Sequence, residues 1–409
     1  MTTIAILGTF DTKGDEHAFL AEHIRKAGLD VLLIDVGTGD APRLQPDISR
    51  FEVAAASRLH LQPILDRHDR GQAVAAMAEA APYCIENLRL AGRIHGIISL
   101  GGGGGTAIAS AAMRALPIGF PKMIVSTLAS GNIAHYVGTK DIVMMPSVVD
   151  INGLNRVSKL ILSRAAGAIV GMVRANVNTD SERPIIVASM FGNTTACINA
   201  AIPIFTEAGF ETIVFAATGT GGRAMESLID SGMVAGVFDI TTTELADELV
   251  GGVLSAGPDR LNAAARACIP AVVAPGCLDM VNFGELSSVP QHFKERTFYP
   301  HNPQVTLMRT TPDECRRLGE ILARSVNQYT APTTVLIPMR AISIVSATGE
   351  PFHDPMADKA LFESIQKHLE PHIQLKVLDL AINDSAFAQI AAETMLSNIR
   401  ENALNLSRA

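Results

Sequence analysis

The sequence lacks tryptophan and has only four tyrosines among its 409 residues. Aromatic side chains are the platforms on which single-stranded nucleic acids stack, so their scarcity argues against that class of binding protein. Charged residues are also few, at 18%, and the net charge of −8 indicates no basic surface for a nucleic-acid backbone. Hydrophobic residues reach 48%, which excludes a disordered chain and supplies enough apolar material for more than one core.

Cysteine is scarce and follows no pattern. The five cysteines form no C-x-x-C pair, and an odd, scattered number predicts reduced thiols in a cytoplasmic protein. No basic stretch precedes an apolar one at the N-terminus, so we expect no signal peptide. Residues 184–206 are uncharged and long enough to span a bilayer, but the polar run 192–195 interrupts them. A strand, a polar turn and a helix are therefore expected there, and no membrane partner.

Short apolar runs alternate with longer helical patterns along the chain. The runs that predict strands are 4–7, 31–36, 97–100, 123–125, 142–145, 185–188, 212–216, 234–240, 271–274, 305–308, 335–337 and 375–378. They are continuous rather than alternating, as in parallel strands covered on both faces. A helical pattern from Asp15 to Ala27, ended by Gly28, joins the first two. The sequence predicts an α/β fold with two Rossmann-like, three-layer domains and mainly parallel sheets.

A polar segment separates the two series of strands. Residues 176–183 are polar and are followed by Pro184, which predicts an N-terminal nucleotide-binding domain over 1–180 and a C-terminal domain over 181–409. The helical pattern over 153–175 that precedes the boundary is rich in small residues in its second half. Two interpretations stay open for it, an internal packing helix and a dimer interface.

A run of five glycines follows the predicted strand 97–100 and precedes a helical pattern that starts at Thr106. Each glycine costs about 0.5–1 kcal/mol relative to alanine in an ordered element, so only positive φ or close approach to another group justifies the run. A glycine turn between strand and helix presents free amides to an anion. We predict a phosphate or nucleotide site at Gly101, Gly102, Gly103, Gly104, Gly105 and Thr106; a tight structural turn is the alternative.

The loops after the first two strands offer further candidates. Thr9 and Thr12 supply hydroxyls, Lys13 a cation for phosphate and Asp11 a possible Mg²⁺ ligand, at the sheet edge where such folds bind ligands. Helix capping by Thr12 is the alternative interpretation. Asp35, near the end of the second strand, is either a ribose ligand or a turn residue.

A hydroxyl-rich loop follows the fourth strand. Ser126, Thr127, Ser130 and Gly131 belong to it, and parallel strands would bring it to the same edge as the glycine run. It contains no carboxylate, so it offers hydroxyl and backbone contacts rather than acid–base chemistry. It either completes the same pocket or forms a turn before a capped helix.

Polar loops also follow the strands of the second series and predict a surface for a small anionic metabolite. Arg223 could clamp an oxyanion with two parallel hydrogen bonds. Cys277 is a weak candidate nucleophile, since no histidine has a diagnostic spacing to it, and a small core residue is the ordinary alternative. The substrate-binding candidates are Asn193, Thr194, Gly219, Thr220, Gly221, Gly222, Arg223, Cys277 and Asp279.

Several long blocks resemble one known family. The blocks are LGTFDTKGDE, the five glycines with Thr106, TLASGN, VGTKDIVMMPSVVDINGLNR, TGTGGRAME and APGCLDMVNFG, and the resemblance that they carry covers essentially the whole chain. They are similar to a largely uncharacterised family of bacterial and fungal proteins that includes the ATP-binding N-terminal region of the tomato mosaic virus resistance protein. The resemblance implies two α/β domains, a homodimer, and ATP contacts at the glycine run and at residues 9–13.

The expected function combines these features. We expect an ATP-binding protein in which Mg²⁺ neutralises the phosphates and Lys13 and Arg223 assist phosphoryl transfer or ligation on a small anionic metabolite. A protein that binds ATP for regulation or interaction, without turnover, is the alternative. A third hypothesis is an ATP-independent lyase or hydrolase that uses Cys277 and Asp279.

Overall fold

The computed structural model describes residues 2–175 and 183–407. The chain divides into two compact units, Met1–Thr179 (unit 1) and Asp180–Ala409 (unit 2). Of the predicted boundary segment, residues 176–182 lie outside the described residues. None of the described helices is long and apolar enough to span a membrane.

Within residues 2–175, unit 1 contains one parallel sheet with the strand order β2-β1-β3-β4-β5. Its strands are β1 (Thr3–Gly8), β2 (Asp30–Asp35), β3 (Gly96–Gly101), β4 (Lys122–Ser126) and β5 (Val143–Pro146). Its helices are α1 (Phe10–Lys26), α2 (Arg50–Ala56), α3 (Gln62–Leu65), α4 (Arg70–Leu90), α5 (Gly103–Arg114), α6 (Ala134–Val137) and α7 (Arg156–Arg174). The predicted strands are confirmed with small shifts at their ends.

Helices cover both faces of this sheet because its strands are apolar on both sides. In β1, Ala5 and Leu7 pack with Met77 and Ile108 from α4 and α5. The alternate residues of β1 pack on the opposite face against α1 and α7. This gives the three layers expected for a doubly wound fold.

Helices α1 and α7 of unit 1 begin at other residues than predicted. Helix α1 begins at Phe10 rather than Asp15, so the predicted loop over residues 9–14 forms its first turns, with non-helical torsion angles at Lys13. Helix α7 begins at Arg156, because the Asn155 side chain accepts hydrogen bonds from the first free amides and caps the helix. Small apolar residues in α7 are buried in the core, which supports the packing interpretation for that face.

Within residues 183–407, unit 2 contains a parallel sheet with the strand order β14-β13-β9-β8-β6-β7 and a smaller antiparallel sheet, β10-β12-β11. Its strands are β6 (Ile185–Met190), β7 (Glu211–Ala216), β8 (Val234–Thr241), β9 (Ala271–Gly276), β10 (Met280–Phe283), β11 (Phe298–Asn302), β12 (Val305–Arg309), β13 (Thr333–Pro338) and β14 (Gln374–Leu378). Its helices are α8 (Thr195–Glu207), α9 (Thr220–Ile229), α10 (Glu244–Val250), α11 (Ala263–Ala267), α12 (Pro312–Val326), α13 (Pro355–His368) and α14 (Ser385–Leu406).

The antiparallel sheet corrects one expectation. The run 305–308 is a strand, but it pairs with β10 and β11 and lies outside the parallel sheet. The prediction of strand, polar turn and helix over residues 184–206 is confirmed by β6, a 3₁₀ turn at Gly192–Thr194 and α8.

Candidate functional site

A cavity of about 880 Å³ opens at the carboxyl edge of the unit 1 sheet. Strands β1 and β3 are neighbours there, and the chain leaves them toward opposite sides of the sheet. This topological switch point is where open α/β sheets bind ligands. The predicted residues that line the cavity are Thr9, Asp11, Thr12, Lys13, Gly102, Gly104 and Gly105.

The glycine run forms the turn from β3 into α5. Gly101 ends the strand, Gly102 is the N-cap, and no side chain caps the helix. The first amides of a helix have no partner within the helix, so this end of α5 presents free donors at the positive end of the helix dipole. The predicted helix start at Thr106 is three residues too late, because Gly103 is already helical.

The protein's own packing does not explain most of these glycines. None of the five has a positive φ. A Cβ on Gly103 would meet no atom within 4 Å, and at Gly102 and Gly105 the nearest atom is 3.7 Å away. Gly101 is crowded, at 3.1 Å from the Cα of Gly105, and a Cβ on Gly104 would lie 3.4 Å from Val74 Cγ2. Since glycine is costly in an ordered element, internal packing leaves Gly102, Gly103 and Gly105 unexplained.

Two cationic side chains lie near this turn. Lys13 lines the cavity, and its Nζ donates to the carbonyl of Ile151, so part of its hydrogen-bonding capacity is already used. Arg70, at the start of α4, is exposed, and its Nη2 lies 3.9 Å from the position of a Cβ on Gly104. Among the described residues, Arg70 makes no ion pair. The sequence analysis missed Arg70, which belongs to no motif and reaches the turn only through the fold.

Asp35 has an internal role rather than the ribose contact considered above. Its side chain is 1% exposed. One carboxylate oxygen accepts from the amides of Phe10 and Gly37 at 3.1 and 2.9 Å, and the other pairs with Arg50 Nε at 2.8 Å. With both oxygens bound, Asp35 is unavailable to a ligand in this conformation. Arg50 also lines the cavity, and sequence reasoning missed it.

The hydroxyl groups near β4 pair within the protein. Thr106 and Ser126 are fully buried, and their hydroxyl oxygens lie 2.7 Å apart. Thr127 approaches the turn, since its Oγ1 is 3.7 Å from the Cβ position of Gly102. The cavity walls do not include Ser126, Thr127, Ser130 or Gly131, so the expectation that this loop completes the pocket receives no support in this conformation.

The glycine loop of unit 2 is built differently. Gly219 and Gly222 donate their amides to Glu244 Oε1 at 2.6 and 3.1 Å, so a buried carboxylate already occupies the N-terminus of α9. Gly219 has a φ of +78°, and a Cβ on Gly221 or Gly222 would overlap neighbouring atoms. Backbone conformation and packing within the protein therefore explain each of these glycines. The Glu244 carboxylate occupies the position at which the sequence predicted an external anion. Thr220 begins α9 behind this loop.

The Arg223 guanidinium is exposed and uses one nitrogen, Nη1, to donate to the carbonyl of Ser255 at 2.9 Å. Asn193 and Thr194 are buried, and the Thr194 hydroxyl lies 2.7 Å from that of Thr241. These polar groups hold adjacent loops of unit 2 together, which accounts for hydroxyl and amide side chains after its strands.

Cys277 and Asp279 are fully buried after β9. Cys277 packs with Met280, Leu307 and Phe352, and burial raises the pKa of its thiol well above the usual range. Burial likewise raises the pKa of Asp279 to about 6, while its carboxylate accepts from Ser343 Oγ at 2.7 Å. Burial and a raised pKa both disfavour the reactive thiolate, so this conformation gives no support to Cys277 as a nucleophile.

Thiol reactivity checks this conclusion. Cys268 is exposed, whereas Cys84, Cys197, Cys277 and Cys315 are buried. We expect a colorimetric disulfide reagent to modify one thiol per native chain rapidly, and all five after unfolding in urea. C268S should lose the rapid reaction. Rapid modification that persists in C268S and disappears in C277A would contradict the burial of Cys277.

Comparison with known proteins places the chain in a family. A model described as "Uncharacterised protein family (UPF0261) N-terminal domain" matches residues 2–178, and the corresponding C-terminal domain model matches residues 183–399. The chain belongs to the UPF0261 family. A UPF0261 protein from Clostridium tetani is 47% identical over 97% of this chain and 99% of its own length. One from Rhizobium meliloti is 46% identical over 96% of this chain and 98% of its own length.

A plant protein is also related to this UPF0261 chain. The tomato (Solanum lycopersicum) ToMV resistance protein Tm-1(GCR237) is 39% identical over 95% of this chain, and the match spans 55% of the tomato protein. This agrees with the resemblance to the tomato mosaic virus resistance protein stated above.

The UPF0261 chain offers little to hold a metal by itself. Among residues 2–175 and 183–407, no cluster of three or more His, Cys, Asp or Glu side chains could bind one. Asp11 fits Mg²⁺ poorly, because one of its oxygens accepts from the Gly39 amide and the other faces the Cβ position of Gly37, which the positively charged Arg50 guanidinium also approaches to 2.8 Å. The arrangement can therefore bind an anion through backbone amides and cations without a protein-built metal site.

Proposed function

We propose that unit 1 binds ATP, with its phosphates on the glycine turn at the start of α5. The observation that supports this is an uncapped helix N-terminus whose glycines are unexplained by internal packing and which opens on a large cavity. Free amides and the helix dipole attract a phosphate, and the exposed Arg70 adds a cation beside Gly104. Lys13 supplies a second positive charge at the same cavity.

The remainder of the cavity suits the base. Phe51 lines the cavity with 49% of its side chain exposed, and Leu65 and Val74 contribute apolar surface. An exposed aromatic ring beside aliphatic groups favours stacking of a flat heterocycle. The volume lies within the range usual for small-molecule sites.

Mg²⁺ would enter the site bound to the nucleotide, and the protein would not bind it beforehand. Mg²⁺ in nucleotide sites is held largely by phosphate oxygens and water. Since Asp11 fits poorly as its ligand, we assign no protein residue to it. Chelation should therefore weaken ATP binding only through the altered charge of the phosphates.

The catalytic consequence, also a proposal, is phosphoryl transfer or ligation on a small anionic metabolite. Lys13 would neutralise charge that develops on the transferred group, and Arg223 would bind the metabolite. The alternative is ATP binding without turnover, in a regulatory or interaction role. The names of two tomato relatives, a ToMV resistance protein and a ToMV susceptible protein, favour this alternative.

Two further expectations from the sequence remain proposals, the cytoplasmic location and the homodimer. For the dimer, α7 offers an outer face on which Leu160 is 51% exposed. A Cβ on Gly167 or Gly171 would meet no atom within 4 Å, so neither glycine is required by packing inside unit 1.

Calorimetric titration of the full chain tests the proposed site. We expect ATP and inorganic tripolyphosphate to bind and to compete, because the phosphates meet the same amides. Absence of heat with both ligands, with and without Mg²⁺, would overturn the proposal. Measurement of phosphate release with small carboxylic and phosphorylated metabolites then separates the two functional classes, since the non-catalytic alternative predicts binding without release.

A further inference from the structure

Two buried charged side chains beside the cavity each keep one unpartnered atom. Asp11 is 5% exposed and Arg50 4% exposed. Asp11 Oδ2 accepts from the Gly39 amide at 2.7 Å, and Arg50 Nη1 donates to the Gly39 carbonyl at 3.0 Å. Arg50 Nε is bound to Asp35. The remaining atoms, Asp11 Oδ1 and Arg50 Nη2, have no hydrogen-bond partner. Buried charged atoms without partners are rare and destabilising, so these two require an explanation.

The two unpartnered atoms face one point from two sides and form no ion pair with each other. Each is 2.8 Å from the position that a Cβ on Gly37 would occupy. A carboxylate acceptor and a guanidinium donor thus face the same point beneath the backbone of the short loop 37–39. Two of the three residues in this loop are glycine, and the Gly39 backbone is held by the same two side chains. Both side chains line the cavity, and a ligand there reaches the two buried atoms only if this loop moves.

The charges of Asp11 and Arg50 favour a ligand that both donates and accepts hydrogen bonds. A phosphate oxygen only accepts hydrogen bonds and is repelled by Asp11, whereas a metal cation is repelled by Arg50. A hydroxyl group donates to one atom and accepts from the other, so it satisfies both. A vicinal diol does the same with two oxygens.

We infer that Asp11 and Arg50 form a hydroxyl subsite that binds the ribose diol of the nucleotide. This inference rests on the proposed function, because it takes the phosphates to lie on the glycine turn. It also assigns the ribose contact to Asp11, which follows β1, and not to Asp35. Asp35, at the end of β2 where Rossmann folds often carry that contact, has both oxygens bound within the protein.

The test compares ligands that differ only in the sugar. The full chain is titrated calorimetrically with ATP, 2′-deoxyATP, 3′-deoxyATP and tripolyphosphate. Loss of a hydrogen bond to a charged group predicts that at least one deoxynucleotide binds about tenfold or more weakly than ATP. Since the change is in the ligand, this result does not depend on the folding of a variant.

The second part of the test is a substitution of Asp11. In D11N the oxygen stays on the Gly39 amide, and the atom that replaces Oδ1 is an amide nitrogen, which only donates. The ribose hydroxyl then loses its charged acceptor, so the difference between ATP and the deoxynucleotides should fall to less than threefold. Tripolyphosphate affinity should stay close to that of the unmodified chain. D15N is the matched control, because Asp15 is exposed on the same helix and should leave the sugar preference unchanged.

The outcomes separate this inference from the proposed function. Equal affinity of the unmodified chain for all three nucleotides, with tripolyphosphate still bound, would overturn the ribose subsite and leave the phosphate site standing; the unpartnered atoms would then hold a buried water. A D11N chain that retains the full sugar preference would overturn the assignment to Asp11. Failure of both ATP and tripolyphosphate to bind would overturn the proposed function and, with it, this inference.

Discussion

G103D is expected to lower the affinity for ATP about a hundredfold or more while leaving the fold intact. A Cβ on Gly103 would meet no atom within 4 Å, so the new side chain has room. A carboxylate in the first turn of α5 interacts favourably with the helix dipole, so the stability of the protein should stay equal or rise slightly. The same carboxylate would repel the phosphates; two charges about 4 Å apart interact by roughly 4 kcal/mol near a protein surface. Calorimetric titration with ATP measures the loss.

G167D is the matched control for this variant. Gly167 lies in α7 of the same unit, is exposed, and also has no atom within 4 Å of its Cβ position. The substitution is chemically identical but lies far from the glycine turn in sequence. Because the proposed phosphate contacts all come from unit 1 of a single chain, we expect G167D to bind ATP as the unmodified chain does, even where the new charge disturbs the proposed dimer face. Unchanged affinity in G103D would contradict a phosphate site at the start of α5.

The sequence predicted the strands well because buried parallel strands leave a direct signal. The run 4–7 became β1, and 97–100 became β3, each extended by one or two residues. Helix starts were harder to predict. Helix α1 begins at Phe10, before any apolar periodicity, since the amide of Phe10 is held by Asp35 from β2. A contact across 25 residues leaves no local signal.

For the site residues, too, local signals in the sequence were found and long-range contacts were missed. Thr9, Lys13 and the glycine turn were found because they directly follow strands. Arg50 and Arg70 were missed, since each lies on a helix and reaches the cavity only when the helix packs. No spacing in the sequence connects Arg70 with Gly104. Side chains that arrive from distant elements can be assigned only after the fold is known.

Glycine content alone could not separate the two loops. Both follow a strand and both precede a helix, so the sequence predicted an anion site at each. The difference lies in what surrounds them: Glu244 fills the helix N-terminus beside Gly219 and Gly222. No side chain fills the corresponding place beside Gly102. A glycine turn therefore indicates a ligand only when the protein itself has not supplied the anion.

The carboxylate that fills the second loop is held by Arg260, and R260M is expected to destabilise unit 2 strongly. Arg260 is 1% exposed and pairs with Glu244 at 2.7 Å, Asp239 at 2.5 Å and Glu226 at 3.2 Å. Methionine would leave three carboxylates with little access to water and no cation. Breaking a buried ion pair from one side costs about 3–5 kcal/mol, so we expect a loss of at least that size in the free energy of unfolding. Urea unfolding followed by circular dichroism measures it.

R266M is the control variant for R260M, because it breaks an ion pair that is exposed to water. Arg266 pairs with Asp230 at 2.8 Å, but the two side chains are 50% and 40% exposed. An ion pair in contact with water contributes between about 0 and 1 kcal/mol, so R266M should shift the urea midpoint only slightly. Equal midpoints for R260M and R266M would contradict the view that Arg260 neutralises the buried carboxylates. A large difference would instead support an internal ion cluster that takes the place of an external anion at the N-terminus of α9.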